Sequence, residues 1–446
     1  MKKILPITMM LAVAATAFTA CSDEEEDIFS QSAAERLNNI SSIYTQRLCS
    51  SPGGWVMEYY PYTDNENEVT GIGYLILNRF HDNGSVYSFM RNTASYGTVF
   101  ADSTAWEVIT DMGPVLTYNT YNATVGFFAS PSDIIGTSSD ESGKGYQGDY
   151  EFVMVDVPEN GQHIMLKGKK RGLYHRLTRL PQGTDFTAYL DTIDDFKSRM
   201  FANNARWELI MENNGTRYNM NHLWRGNPTL YPEGTDSVTT GWREPFLITL
   251  YDDQFHLRFK DTIMVGDKQM EQEFYYSTDE DCFRGMTNND NIITGDTVSR
   301  FMLTAINKGY NWQMTRNSEM SESVKALYET LYSDMRARSY NLSNIAVVNN
   351  TSKELCIRLA YTYNRRSSTL MLPISVSRNG DTVTFTRGET PETVQKFLDL
   401  FPSANNLVDF ICQQLDAQPA TTRFNLNTIK VVSKANADDW LIFTLR

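Results

Sequence analysis

Residues 74–87, YLILNRFHDNGSVY, place an Asn83-Gly84 pair between two runs rich in apolar and aromatic residues. Asn-Gly accepts the positive φ angles of a two-residue turn at little steric cost, so the two runs are expected to fold back on each other as antiparallel strands. The same pair recurs at Asn160-Gly161, Asn214-Gly215 and Asn379-Gly380, each time between strand-like runs. Four such turns make antiparallel, hairpin-rich sheet the expected framework.

Other stretches extend this reading. Trp55-Val56-Met57-Glu58-Tyr59-Tyr60 follows the breaker Pro52-Gly53-Gly54 and is expected to be a strand. Phe255 to Lys260 alternates apolar and basic residues, which predicts a strand with one wet face. Trp440 to Leu445 is apolar on both faces and is expected in the middle of a sheet. Helical spacing enters between these runs. Ser32-Ala33-Ala34-Glu35 is a capping-box pattern ahead of Leu37, Ile40, Tyr44 and Leu48. Phe186, Leu190, Ile193 and Met200 mark a second helix, and Val324, Leu327, Tyr328, Leu331 and Met335 a third. Thr390 as cap and Pro391 in the first turn open another through Val394, Phe397, Leu398 and Phe401, and Leu407, Phe410, Ile411 and Leu415 suggest one more. The expected class is α+β, predominantly antiparallel sheet with several amphipathic helices packed on it.

The organisation is read as a leader (1–20), an acidic tether (21–30), a β-rich domain with a leading helix (31–181) and an α+β region (182–446), divided at Pro181. A helix, a short break and a Trp-led strand occur twice, at Trp55 and again at Trp207 after Asn203-Asn204-Ala205-Arg206. The leader has Lys2 and Lys3 before the apolar Ile4–Phe18 stretch, which is too short to span a bilayer, and ends in Phe18-Thr19-Ala20-Cys21. That pattern predicts cleavage before Cys21 and its conversion to a diacylglyceryl- and palmitate-bearing N-terminus. Asp23 to Asp27 then supply five successive carboxylates that must stay hydrated.

Composition narrows the partners. The whole chain carries a net charge of −14, and processing would remove two lysines more. Nucleic acid is therefore excluded as an expected partner, since its binding relies on basic charge neutralising phosphate. Cys49, Cys282, Cys356 and Cys412 are far apart and fit no zinc spacing, so buried free thiols or at most one bridge are expected.

Catalytic signatures are wanting: HExxH, GxSxG, a Walker loop and an EF-hand loop do not occur. Gly143-Lys144-Gly145-Tyr146-Gln147-Gly148 fits GxGxxG but precedes a strand where a dinucleotide site needs a helix. His81, His163, His175, His222 and His256 show no helical ligand spacing. The loops Asp64–Glu68, Asp279–Asp281 and Asn288–Asn291 offer oxygen ligands of the kind calcium takes, and equally the composition of solvated loops. Tyr118, Tyr121, Phe127 and Phe128 suit either a stacking platform or a β-rich core. No catalytic, cofactor-binding or metal-ligating residue is assigned; the one assigned site is Cys21, as lipid carrier.

Leu48–Pro61 (LCSSPGGWVMEYYP), Gly73–Tyr87 (GYLILNRFHDNGSVY), Gly113–Asn122 (GPVLTYNTYN), Gly148–Val155 (GDYEFVMV) and Ile164–Gly172 (IMLKGKKRG) resemble, in order, the Bacteroidota lipoprotein family known as domain of unknown function 4302. Beyond Pro181 the resemblance thins. Ser22 with the acidic run likewise resembles the export signal of Bacteroidota surface lipoproteins. These resemblances imply an outer-membrane lipoprotein facing the cell exterior and associated with a nutrient-uptake complex, and they bring no catalytic residues. The expected function is non-catalytic binding of a glycan, a peptide or a partner protein. The alternative is a surface hydrolase of glycans or peptides whose carboxylates converge in space.

Overall fold

The computed structural model describes residues 32–62, 72–111, 113–131, 145–201, 208–221 and 226–446. Cys21, the acidic run, Asp64–Glu68, Gly143-Lys144, Asn203–Trp207 and His222 lie outside these residues. Strand makes up 42% and helix 22%, which bears out the α+β class with strand in excess.

Eight strands come first: β1 (Trp55–Tyr59), β2 (Tyr74–Phe80), β3 (Ser85–Met90), β4 (Phe100–Thr110), β5 (Pro114–Tyr118), β6 (Glu151–Asp156), β7 (His163–Gly168) and β8 (Tyr174–Arg179). Each pairs antiparallel with its sequence neighbour, and β1 also pairs with β8, so the sheet closes into a barrel. Closure leaves no open edge, and eight strands enclose a space that side chains can fill. Trp55, Met57 and Tyr59 of β1 fill it, together with Ile76, Phe152 and Leu177. Helix α1 (Ala33–Cys49) leads in with the expected capping box, Ser32 accepting from Glu35 N and Glu35 reaching back to Ser32 N. A short helix, α2 (Val125–Ala129), lies between β5 and β6.

Helix α3 (Phe186–Phe201) joins this barrel to a nine-stranded antiparallel sheet. Its strands are β9 (Leu209–Asn213), β10 (Thr216–Asn221), β11 (Thr229–Pro232), β12 (Trp242–Arg243), β13 (Phe246–Tyr251), β14 (Gln254–Phe259), β17 (Glu273–Ser277), β18 (Cys282–Gly285) and β19 (Ile292–Gly295), with a small separate hairpin of β15 (Met264–Val265) and β16 (Lys268–Gln269). The short helix α4 (Ser237–Thr240) precedes β12, and α5 (Val298–Asn307) follows β19. The outward face of the first barrel, α3 and the middle sheet share one core that includes Val56, Leu77, Leu190, Phe196, Leu257 and Phe274.

A second closed barrel follows, of β20 (Trp312–Met314), β21 (Tyr340–Asn349), β22 (Leu355–Tyr363), β23 (Arg366–Asn379), β24 (Thr382–Arg387), β25 (Gln414–Pro419), β26 (Thr428–Ser433) and β27 (Trp440–Leu445). Helices α6 (Glu322–Ala337), α7 (Glu392–Leu400) and α8 (Ser403–Ile411) pack into its core. The loop between β25 and β26 reaches back to the middle sheet: Phe424 packs edge-to-face with Phe201, Tyr276 and Phe283, while Thr422 and Arg423 N donate to Asp281. Gly295 is required at this contact, because a Cβ there would lie 1.9 Å from the Arg423 carbonyl oxygen.

Each Asn-Gly pair stands between consecutive antiparallel strands, β2–β3, β6–β7, β9–β10 and β23–β24. At Asn214-Gly215 both residues have positive φ, 51° and 76°, as a type I′ turn demands. Several expectations change. The His256 side of β14 is not wet: His256 is buried because the first barrel covers it. Pro391, not Thr390, is the cap of α7, and Leu415 belongs to β25 rather than to the preceding helix. In β27, which pairs with β20 and β26, only Leu441 and Phe443 are buried, so one face alone enters the core. Cys49, Cys282, Cys356 and Cys412 are all free thiols.

Candidate functional site

The alternation of β1 that sends Trp55, Met57 and Tyr59 into the barrel turns Glu58 outward, toward the middle sheet. Arg176 of β8 is directly opposite Glu58 in register. Across the contact, Arg258 of β14 is opposite Glu273 of β17. The hydrogen bonds then run crosswise: Arg176 donates to both Glu273 oxygens (2.6 and 2.7 Å) and to Glu58 (2.8 Å), and Arg258 donates to the second Glu58 oxygen at 2.8 Å. Tyr251 adds a bond to Glu273 at 2.9 Å. The side chains of Glu58 and Arg176 are 0% and 4% exposed.

Burial would raise the Glu273 carboxyl, but the charge and hydrogen bonds of Arg176 hold it down to about 2. Nearby, burial and then the Arg176 charge depress His163 to about 3, and burial depresses His256 to about 4. A carboxylate clamped by guanidinium groups and ringed by neutral imidazoles is a poor proton donor at neutral pH. The quartet is chemically quiet, a polar rivet between barrel and sheet.

The other meeting place of the same two bodies is a cleft of about 730 Å³. Its walls are the start of β2 (Tyr74, Leu75), the loop after β3 (Arg91 to Gly97), helix α3 and strand β13, with Tyr146 and Gly226 at the margin. Leu190 and Ile193 of α3 and Phe246, Leu247 and Ile248 of β13 give it an apolar floor. The loop is set by reciprocal bonds between Asn92 and Ser95, and by Tyr96 and Gly97 at φ 53° and 73°. Tyr96 stands 68% exposed at the mouth. Ligand sites commonly have this size and this mixture of apolar wall and few polar groups.

Three charged side chains line the cleft. Arg91 bridges Asp191 and Asp194 at 2.8 and 3.0 Å, so those charges are spent on one another. Lys197, half-buried, has no hydrogen bond or ion pair to a described residue. Burial pushes its ammonium pKa down, with the Asp194 charge acting in the opposite direction. Lys197 was not singled out from the sequence, although a signal was there: Leu190, Ile193 and Lys197 share one helical stripe, so a lysine occupies a position the pattern reserves for an apolar residue.

The other sequence candidates fare differently. Tyr118 and Phe128 are buried in the first barrel, leaving Tyr121 exposed by itself, so these aromatics form core rather than a platform. Asp281 is taken up by Thr422, Arg423 and Tyr276, and Glu280 pairs with Arg284. Asn288 N and Asn291 donate to the Glu271 carboxylate. Among the described residues, no group of three or more His, Cys, Asp or Glu side chains converges to hold a metal, and no helix is long and apolar enough to cross a membrane.

Residues 25–278 match the family described as Domain of unknown function (DUF4302). That span holds the first barrel, the whole quartet and every wall of the cleft. No curated protein matches the sequence. Among solved structures, the chain is similar to intact Ap-TbpB with its N and C lobes (6% identity, 88% of this chain and 74% of that one, TM-score 0.14). It is also similar to the beta subunit of DNA polymerase from Streptococcus pyogenes (9% identity, 92% and 97%, TM-score 0.13). Transferrin Binding Protein B from Haemophilus parasuis Hp5 gives 6% identity, 88% and 73%, and a TM-score of 0.14. TM-scores this low carry no structural argument.

Proposed function

Since this chain belongs to the family described as domain of unknown function DUF4302, we propose that it is a Bacteroidota-type surface lipoprotein, anchored through Cys21, that binds a small or peptide-sized ligand without transforming it. It serves, on this reading, as an accessory to an outer-membrane nutrient-uptake complex. The observation that carries the binding role is the cleft of about 730 Å³ between the first barrel and the middle sheet, apolar in its floor and holding one cation that no described residue pairs. A concave site of that volume suits a ligand enclosed on several sides better than a flat partner surface. The hydrolase alternative gains nothing from the carboxylates of the quartet and the cleft, because Glu58 and Glu273 are bound by Arg176 and Arg258, and Asp191 and Asp194 by Arg91.

The test is a thermal-shift screen of residues 28–446 against glycans, peptides and calcium, run beside Thr93→Trp, which puts bulk at the mouth from an exposed position. A ligand specific to the folded state raises the melting temperature in proportion to the logarithm of its excess over Kd. The reading expects a shift in the parent protein that Thr93→Trp abolishes; a shift retained in Thr93→Trp, or product formed from a bound compound, would count against it. The anchor is tested separately. Cys21→Ser is expected to move the protein out of the membrane fraction, and the parent protein to be cleaved by protease added to intact cells; protection there would remove the surface assignment.

A further inference from the structure

We infer that the cleft takes an apolar ligand ending in a carboxylate, seated with its chain on the β13 floor and its carboxylate on the Lys197 ammonium; this rests on the cleft being the binding site. Leu75, Leu190, Ile193, Phe246 and Leu247 offer an occupant no polar partner along their length, so the body of the ligand must be apolar or it loses hydrogen bonds made in water. Arg91 already has two carboxylates, and Asp194 already has Arg91. Lys197 remains the one cation of the lining whose charge no described residue meets at bonding distance.

A half-buried ammonium without a counter-ion is costly, and an anion brought to it recovers that cost as binding. One lysine neutralises one charge. A dianion such as a phosphate monoester would keep a second charge against an apolar wall, whereas a carboxylate is fully matched. Tyr74, Tyr96 and Tyr146 complete the titratable groups of the lining, and none of them is cationic. The carboxylate can come from an acyl chain or from the C-terminus of an apolar peptide, since both present the same group beside the same kind of surface.

Titration calorimetry at pH 7 on residues 28–446 separates these sources with two matched pairs, decanoate against decanamide and N-acetyl-trileucine with a free against an amidated carboxyl end. At least one acid is expected to bind about tenfold tighter than its amide, the worth of one charge-assisted contact. Lys197→Met should erase that preference and Lys197→Arg restore it, with melting temperatures of both variants compared to the parent to verify folding. Equal binding of acid and amide in both pairs overturns the inference. If the equal binding is lost in Thr93→Trp, the cleft still stands as a site and the carboxylate alone is wrong; if neither pair binds the parent at millimolar concentration, the inference fails outright and the cleft reading depends on the wider screen.

Discussion

Strand β13 serves two junctions between the same barrel and the same sheet, and they are built from opposite material. At its Tyr251 end the contact is the quartet of Glu58, Arg176, Arg258 and Glu273, in which each carboxylate is matched by a guanidinium. At Phe246 to Ile248, three residues or about 10 Å away, the contact opens into an apolar cleft with Lys197 unmatched. Both place charge where water is scarce. The difference is that the quartet satisfies itself and so fixes the two bodies together, while the cleft leaves one charge for something else to satisfy. Buried charge signals a ligand only when its partners have been counted.

The comparison breaks most readily at the quartet. Arg176→Met leaves Glu273 buried without its guanidinium and Glu58 with Arg258 alone, and is expected to cost about 3–5 kcal/mol in urea unfolding. A loss under about 1 kcal/mol would mean that water reaches the quartet and that its arginine pairs are ordinary surface ones. Phe424→Ala probes a third junction, where an aromatic side chain of the second barrel plugs the middle sheet beside the Thr422 and Arg423 bonds to Asp281. About 3 kcal/mol is expected from the cavity it leaves. A similar loss at both sites would show that the rivet holds no more firmly than packing does.

Acid should act at the barrel–sheet contact, through His163 and His256, and inside the first barrel, where His175 stacks on Tyr59. Burial depresses His163 and His175 to about 3 and His256 to about 4, so all three favour the neutral form in the folded state. Stability from them is whole above the unfolded value near 6.5 and falls as pH drops through the window down to the folded values. The slope is at most about 1.4 kcal/mol per pH unit for each histidine. Glu273, held near 2, adds its own loss from about pH 4.5 downward. Glu244 works the other way: burial raises it to about 7, so its contribution is present below about 4.5 and fades as pH rises through 7. The urea midpoint is therefore expected to drop between pH 6.5 and 4, and a flat profile would contradict the burial of these imidazoles. The smallest expected change is that of Lys197→Met, which should leave stability within about 0.5 kcal/mol or raise it slightly, because it removes a charge that no described group repays. A loss above 1.5 kcal/mol would make Lys197 a structural residue and erase the contrast with the quartet.

Much of the local structure was legible. The capping box at Ser32 and the apolar stripe of α3 are written in residues a few positions apart and fold as read; the four Asn-Gly pairs each join adjacent antiparallel strands, with positive φ at both residues only at Asn214-Gly215. Helix α5 was missed although Val298, Phe301, Met302, Ala305 and Ile306 have helical spacing. Its Thr297 cap makes no side-chain bond, and Asp381, from the distant β23–β24 turn, accepts from Val298 N instead. The basic alternation of Phe255–Lys260 gave the right strand and the wrong environment for His256. What lay against that face was a barrel more than seventy residues earlier in the chain.

Sequence by itself determined the hairpin connections, the capping box at Ser32 and the apolar stripes of single helices, because φ/ψ preference and side-chain period act over a few residues. Tertiary structure alone decided that β1 meets β8 and β20 meets β27 to close two barrels, and that the faces of Glu58 and Arg258 meet. It alone left Lys197 without a partner among the described residues while Arg91 found two. Closure, desolvation and charge matching depend on which groups far apart in the chain share a volume, and no local pattern carries that information.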